Sequence, residues 1–323
     1  MMRRLNIMRI RPDQQLSLTD SFLPAAPAND FLDRLNTLVD WQPIQTALEA
    51  MFTATTGRLP QPPLVVFKML LLQNCYGLSD PQCEEQVRDR LSWRKFTGLS
   101  FSDPVPDETT LVRFRQRLVA HGLHQRLLDL VNQQLAAHGL IVREVTLVDA
   151  TLMQAARRAP NKNSSSGGDP DAAHTVKRGQ PHYGYKAHVA ADGEHTLIRR
   201  ADLSAASVHD SQRFEAVVTG DEEKVVADKA YWSAERSRWL KQRGVRNGIL
   251  RRGKRGTPLS AAAQRLNRTL SVVRSRVEKI FGHWKRTLGY RRVRYVGWAG
   301  NRLELEIKCV VWNLKRWVNV SAA

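Results

Sequence analysis

Cysteine is scarce in this sequence, with only Cys75, Cys83 and Cys309 among 323 residues. An odd, sparse set excludes a disulfide framework, and no Cys/His spacing matches a zinc site. Cys75 and Cys309 sit in apolar text and read as packing residues. Long apolar runs are missing too. The longest of note, "PLVVFKMLLLQN", is short and carries Lys68, well below the roughly 20 residues of a membrane-spanning helix. The start "MMRRLNIMRIRPDQQ" is basic but has no apolar core and no small-residue cleavage site, so no secretory signal is expected. These absences predict a cytoplasmic protein without a membrane partner. Acids are the third shortage: 31 Asp and Glu stand against 50 Lys and Arg, a formal net charge of +19. That excess predicts a polyanionic partner, nucleic acid ahead of an anionic membrane surface. The charge is also clustered. Arg236, Arg238, Lys241, Arg243, Arg246, Arg251, Arg252, Lys254 and Arg255 follow one another with no acid among them, which favours phosphate binding over a generally basic surface.

Residues 1–30 are polar and contain "LPAAPAND", read as a tail and linker. From 31 to 140 the apolar spacing is helical. "NDFLDRLNTLVDW", "PPLVVFKMLLLQNCYGL", "SDPQCEEQVRDRLSWRKFTGL", "VPDETTLVRFRQRLVAHGL" and "HQRLLDLVNQQLAAHGL" predict four or five helices, opened by Pro, Ser or Asp and closed by Gly. From 141 the texture changes. "IVREVTLVDAT" is β-branched and apolar, a buried strand. Residues 154–181 are rich in Gly, Ser, Asn and Pro and read as a long mobile loop, either disordered or ordered on a partner. "HYGYKAHVAADGEHTLIRRADLS" predicts two strands around Asp192-Gly193, "VHDSQRFEAVVTG" a helix capped by Asp210, and "EKVVADKA" a strand ending at Asp228. A helix, a short strand "VRNGILRR" and a basic loop follow. Leu266, Leu270, Val273, Val277, Ile280, Trp284 and Leu288 then predict one long helix over 260–288, and an amphipathic helix ends the chain. The expected architecture is α+β/α/β: a helical N-terminal region, then a mixed sheet with helices on both faces over 141–323.

Asp149 and Asp228 each follow an apolar strand, and Glu278 flanks the stripe of the long helix. Alone, each reads as a cap, turn or solvated residue. Together, three carboxylates on three elements of a basic protein suit phosphodiester chemistry. That chemistry is served by two Mg²⁺ ions about 4 Å apart that neutralise the attacking and leaving oxygens. Hard cations take oxygen ligands, so Asp and Glu fit where Cys and His would not. Helix geometry sets Arg274 and Lys285 on nearly the same stripe as Glu278. Lys186 and His188 share a strand face and are candidates for the DNA backbone, or else one solvated face. Trp232, Trp284 and Trp298 are candidates for base stacking, or else core residues.

These stretches resemble a known family. "LVDATLMQA", "GGDPDAAHTVKRGQPHYGYKAHVAAD", "AASVHDSQ", "VVADKAYWS" and "RSRVEKIFGHWKR" are similar to bacterial insertion-sequence transposases of the IS5 family, over about residues 60–318. "PDETTLVRFRQRL" resembles the family's helical region. The family's Tyr-x2-Arg-x3-Glu-x6-Lys signature is met by Arg274, Glu278 and Lys285, with Ser271 at the tyrosine position. The resemblance implies a DDE transposase with a ribonuclease-H-like catalytic domain at 141–323 and a helical DNA-binding domain at 31–140. It implies that Asp149, Asp228 and Glu278 are catalytic and hold two Mg²⁺ ions, with Mn²⁺ as the substitute. Arg274, Lys285, Lys186, His188, Arg251, Arg252, Lys254 and Arg255 are the expected DNA-binding residues. Double-stranded DNA is the expected partner, with a homodimer bridging two element ends on the bacterial nucleoid. A sequence-specific repressor without catalysis, or a nuclease that cuts and never rejoins, would share most of these features.

Overall fold

The computed structural model describes residues 30–52, 60–160, 167–177, 179–253, 256 and 258–322. The expected N-terminal tail, the middle of the 154–181 stretch, and Lys254 and Arg255 lie outside them. The chain divides into two compact units at Leu130/Val131. The division falls inside a helix, upstream of the change in texture at 141.

Over 30–137 the described residues form seven helices: α1 Asp30–Leu38, α2 Gln42–Glu49, α3 Pro63–Tyr76, α4 Asp80–Asp89, α5 Leu91–Thr97, α6 Glu108–Ala120 and α7 Leu123–Ala137. That is more than expected. The text "SDPQCEEQVRDRLSWRKFTGL" yields two helices because Arg90 is extended, with φ −99° and ψ 113°. Helix α3 is buried on nearly every face, as its unbroken apolar run requires. Prolines open it, and Gly77 at φ 68° closes it, a backbone conformation that suits glycine. Lys68 on this helix is buried. Its Nζ donates to Asn36 Oδ1 at 2.9 Å and lies 4.4 Å from the Trp41 ring centroid. Burial lowers its pKa to about 8. Ser79 and Gln82 form a reciprocal capping box at α4, and Asp107 caps α6 through the Thr110 N–H at 2.7 Å.

The second unit carries a six-stranded mixed sheet: β1 Thr146–Gln154, β2 Ala173–Lys177, β3 Gln180–Asp192, β4 Ile198–Ala205, β5 Lys224–Ala227 and β6 Arg246–Ile249. Strand β3 pairs antiparallel with β1, β2 and β4, while β1–β5 and β5–β6 are parallel. Antiparallel strands leading into a parallel pair make the ribonuclease-H-like arrangement. Strand β2 corrects the reading of 154–181 as loop. Its residues His174, Val176 and Lys177 are exposed, so β2 lacks the apolar signal of a buried strand. Short helices α8 Phe214–Val217 and α9 Ala234–Gln242 cover one face. There Val148, Phe214, Val217, Val225, Ala227, Tyr231, Leu240 and Ile249 form a common core.

The single helix expected over 260–288 is two, α10 Ala261–Arg274 and α11 Glu278–Arg286, joined by a 3-10 turn over Ser275–Val277. The last helix, α12 Trp298–Val320, is buried on most of its circumference rather than amphipathic. It runs against β4, where Asn313 Oδ1 accepts from the Ile198 N–H at 2.7 Å and Trp312 Nε1 donates to Thr196 O at 2.7 Å. All three cysteines are buried thiols outside any disulfide. No helix among the described residues is long and apolar enough to cross a membrane.

Candidate active site

The β1–β5 ladder pairs Thr146 with Val225, Leu147 with Val226, and Val148 with Ala227, and stops there. Asp149 and Asp228 are the next residues on the two strands. Side chains alternate along a strand, so the register makes these carboxylates neighbours on one face. Asp149 was expected at the end of its strand. It lies inside β1 instead, because β1 continues its antiparallel pairing with β3 as far as Gln154. Asp228 does end β5. It caps a 3-10 turn, Lys229–Tyr231, and accepts the Lys229 N–H at 2.7 Å.

Glu278 opens α11, and its side chain is 62% exposed. Arg274 is the link between the acids. Its Nη1 meets Asp149 Oδ2 at 2.6 Å and its Nη2 meets Glu278 Oε1 at 3.4 Å. The 3-10 turn after Arg274 lets α10 end beside β1 while α11 carries Glu278 onward. Burial raises the pKa of Asp149. The Ala150 N–H and Arg274 oppose that rise, and the nearby charges of Asp228 and Asp210 add to it.

Among the described residues, no three Asp, Glu, His or Cys side chains converge as a ready-made metal cage. The guanidinium of Arg274 compensates the acids. The donor chemistry nevertheless suits a hard divalent cation, since Asp149, Asp228 and Glu278 offer only oxygens. Beside them the Tyr231 hydroxyl is buried without a hydrogen-bond partner.

The basic candidates separate. Lys285 is half-buried, and its pKa is lowered by desolvation and by the like charges of Lys177 and Arg291. It has no acid partner among the described ion pairs. Arg251 and Arg252 are exposed. Lys186 is not presented as a free cation, because its Nζ is held by Asp210 Oδ1 at 2.8 Å and by Val208 O at 2.7 Å. His188 is a correction. Its ring is 1% exposed and bonded to Ser204 Oγ at 2.7 Å, and burial lowers its pKa to about 4. A neutral interior imidazole offers no charge to a phosphate. Trp284 is fully buried in the core, whereas Trp232 is 46% exposed.

Three residues of the site region escaped the sequence reading. Arg236, read as one of a phosphate-binding run, is 8% exposed. It donates to Tyr231 O at 2.5 Å, Ser211 O at 2.6 Å and Glu215 Oε1 at 3.1 Å. Asp210, read as a cap, begins a 3-10 turn, Asp210–Arg213, whose capping side chain is His209. Tyr231 was not singled out at all. The available signal was positional, for Asp210 follows β4 closely, much as Asp228 follows β5.

A basic chain with a ribonuclease-H-like sheet and paired aspartates where its parallel strands part defines a class of phosphodiester-processing proteins. Residues 20–117 match the family model described as Transposase domain (DUF772), and residues 141–314 match Transposase DDE domain. The second match spans over half of the sequence, and the chain belongs to the DDE transposase family. Membership makes DNA its partner, and DDE transposases generally use divalent metal ions. The chain is also similar to the piggyBac transposase in the cryo-EM structure of its synaptic complex with hairpin DNA. The identity is 11% and the TM-score 0.45, over 91% of this chain and 74% of that one.

Proposed function

We propose that the protein is an IS5-type transposase that binds the terminal inverted repeats of its own element and carries out Mg²⁺-dependent cleavage and strand transfer. The observation that carries this reading is the Asp149–Asp228 juxtaposition where β1 and β5 part, linked to Glu278 through Arg274. In this reading Asp149, Asp228 and Glu278 hold two Mg²⁺ ions, for which Mn²⁺ substitutes. When bound, the cations supply charge neutralisation at the attacking and leaving oxygens of the phosphodiester.

The chain's own residues have separate tasks. Asp149 stands on the rigid sheet, where strand pairing limits its freedom, and Asp228 sits just past β5 at the head of a 3-10 turn. Glu278, exposed at the start of α11, is free to turn toward them. Arg274 holds the acids in register and neutralises them before the cations arrive. Lys285, Arg251 and Arg252 bind DNA phosphates, and so do Lys254 and Arg255, which lie outside the described residues. Helices over 31–140 read the element ends. Two chains bridge two ends, so the DNA-bound form is a homodimer at the nucleoid. A water attacks at the element end and frees a 3′-OH, which then attacks target DNA.

The test is cleavage and strand transfer by the full chain on DNA carrying the element's ends, with Mg²⁺. The parent is expected to give both products and Asp228→Ala neither. Cleavage by Asp228→Ala at the parental rate refutes the mechanism. Cleavage without a joined product leaves a nuclease, and tight binding without cleavage in any divalent ion leaves a repressor.

A further inference from the structure

A fourth carboxylate stands beside the family's three. Asp210 opens the 3-10 turn after β4, and that turn packs against the turn capped by Asp228. Arg236 ties the two together by donating to Ser211 O on one and Tyr231 O on the other, with its guanidinium 4.6 Å from the Phe214 ring. The Phe214 and Tyr231 rings are 6.0 Å apart. The turn that Asp210 opens is thus tied by a buried clamp to the turn that Asp228 caps. The Tyr231 ring is 1% exposed and its hydroxyl has no hydrogen-bond partner. A buried, unpaired phenol is costly and marks a place where a polar group is missing. Burial raises its pKa well above the usual value, and the charges of Asp210, Asp149 and Asp228 add to the rise in that order. Lys186 completes the picture, with its ammonium 2.8 Å from Asp210 Oδ1.

We propose that Asp210 is a further member of the divalent-cation site, with the Tyr231 hydroxyl as its buried hydrogen-bond donor and Lys186 as the cation that occupies Asp210 until the metal binds. This rests on the reading that Asp149 and Asp228 bind a divalent metal. Its own content is that the site has an acid arm from the turn after β4, and that Lys186 competes with the metal for it.

The test reads metal directly, as Mn²⁺ binding to the full chain followed by the loss of the free-ion EPR signal. Asp210→Asn keeps the shape and removes the charge, and it is expected to weaken binding about tenfold. Tyr231→Phe, which keeps the ring, is expected to weaken it about fivefold. Lys186→Met removes the competitor and is expected to tighten it. Asp210→Asn and Lys186→Met break the same ion pair, so a merely structural pair would shift both the same way. Weakening in both therefore overturns the proposal. Parental Mn²⁺ affinity in Asp210→Asn or in Tyr231→Phe, while Asp149→Asn loses binding, overturns it and leaves the transposase reading standing. If the parent binds no Mn²⁺, or Asp149→Asn binds as the parent does, the metal reading beneath it fails as well.

Discussion

His188 pairs across the ladder with Ala150, one residue beyond Asp149, yet it ends in the interior, uncharged. Its sequence context, a basic strand in a basic protein, suggested a phosphate contact. What decided otherwise is the face it shares with Ala190, which belongs to the core beneath α8 and α9. Burial is the main cause of its lowered pKa, and Asp210 and Asp202 only partly oppose it. A pKa of about 4 in the folded state against 6.5 unfolded means that the folded chain resists protonation. The stability it contributes is present above pH 6.5 and is lost as pH falls toward 4, up to about 3 kcal/mol. Thermal melts across that window should fall for the parent and flatten for His188→Gln. Parallel curves would show that another group governs the loss.

Arg236 and Gly184 show how elements, rather than single residues, hold the site. Arg236, on α9, ties that helix to two turns and to α8 through three hydrogen bonds and a ring contact. Lysine lacks the planar fork, so Arg236→Lys should cost about 2–4 kcal/mol, read as a lower denaturation midpoint. An unchanged midpoint would mean that the turns hold without the clamp. Gly184 has φ +155°, and a Cβ there would lie 2.1 Å from Met153 O, inside the β1–β3 pairing. Gly184→Ala must push apart the strand that carries Asp149, at about 3 kcal/mol or more. Gly179→Ala is the control, since a Cβ there meets nothing within 4 Å despite φ +75°. Equal losses in the two variants would refute the close-approach argument. The elements also explain why one member of the run from Arg236 to Arg255 departs from the expected phosphate contact. Arg236 is spent internally, while Arg238, Lys241, Arg243, Arg246, Arg251 and Arg252 are exposed.

At the scale of the whole molecule the +19 charge predicts DNA binding that weakens steeply with salt, because each neutralised phosphate releases counterions. Replacing Arg251 and Arg252 together by alanine should lower the slope of log affinity against log salt by about 2, in titrations of labelled duplex at several salt concentrations. A parental slope would remove both residues from the interface. His188→Gln, buried and neutral, should leave the slope unchanged.

The sequence by itself determined the two-part organisation and the helical and mixed-sheet classes, and it singled out Asp149, Asp228 and Glu278. Apolar periodicity and strand-end acids are local signals, written within a few residues of the feature they announce. Register, clamp and burial were decided only by the tertiary structure. Asp149 and Asp228 become neighbours through a parallel ladder between segments far apart in the chain. Arg274 reaches Asp149 because a 3-10 turn interrupts a helix that the apolar stripe would have continued. Lys186, His188, Asp210 and Arg236 look alike in sequence, as polar residues near basic text. Desolvation and long-range ion pairing give each a different role, and neither acts until the chain has folded.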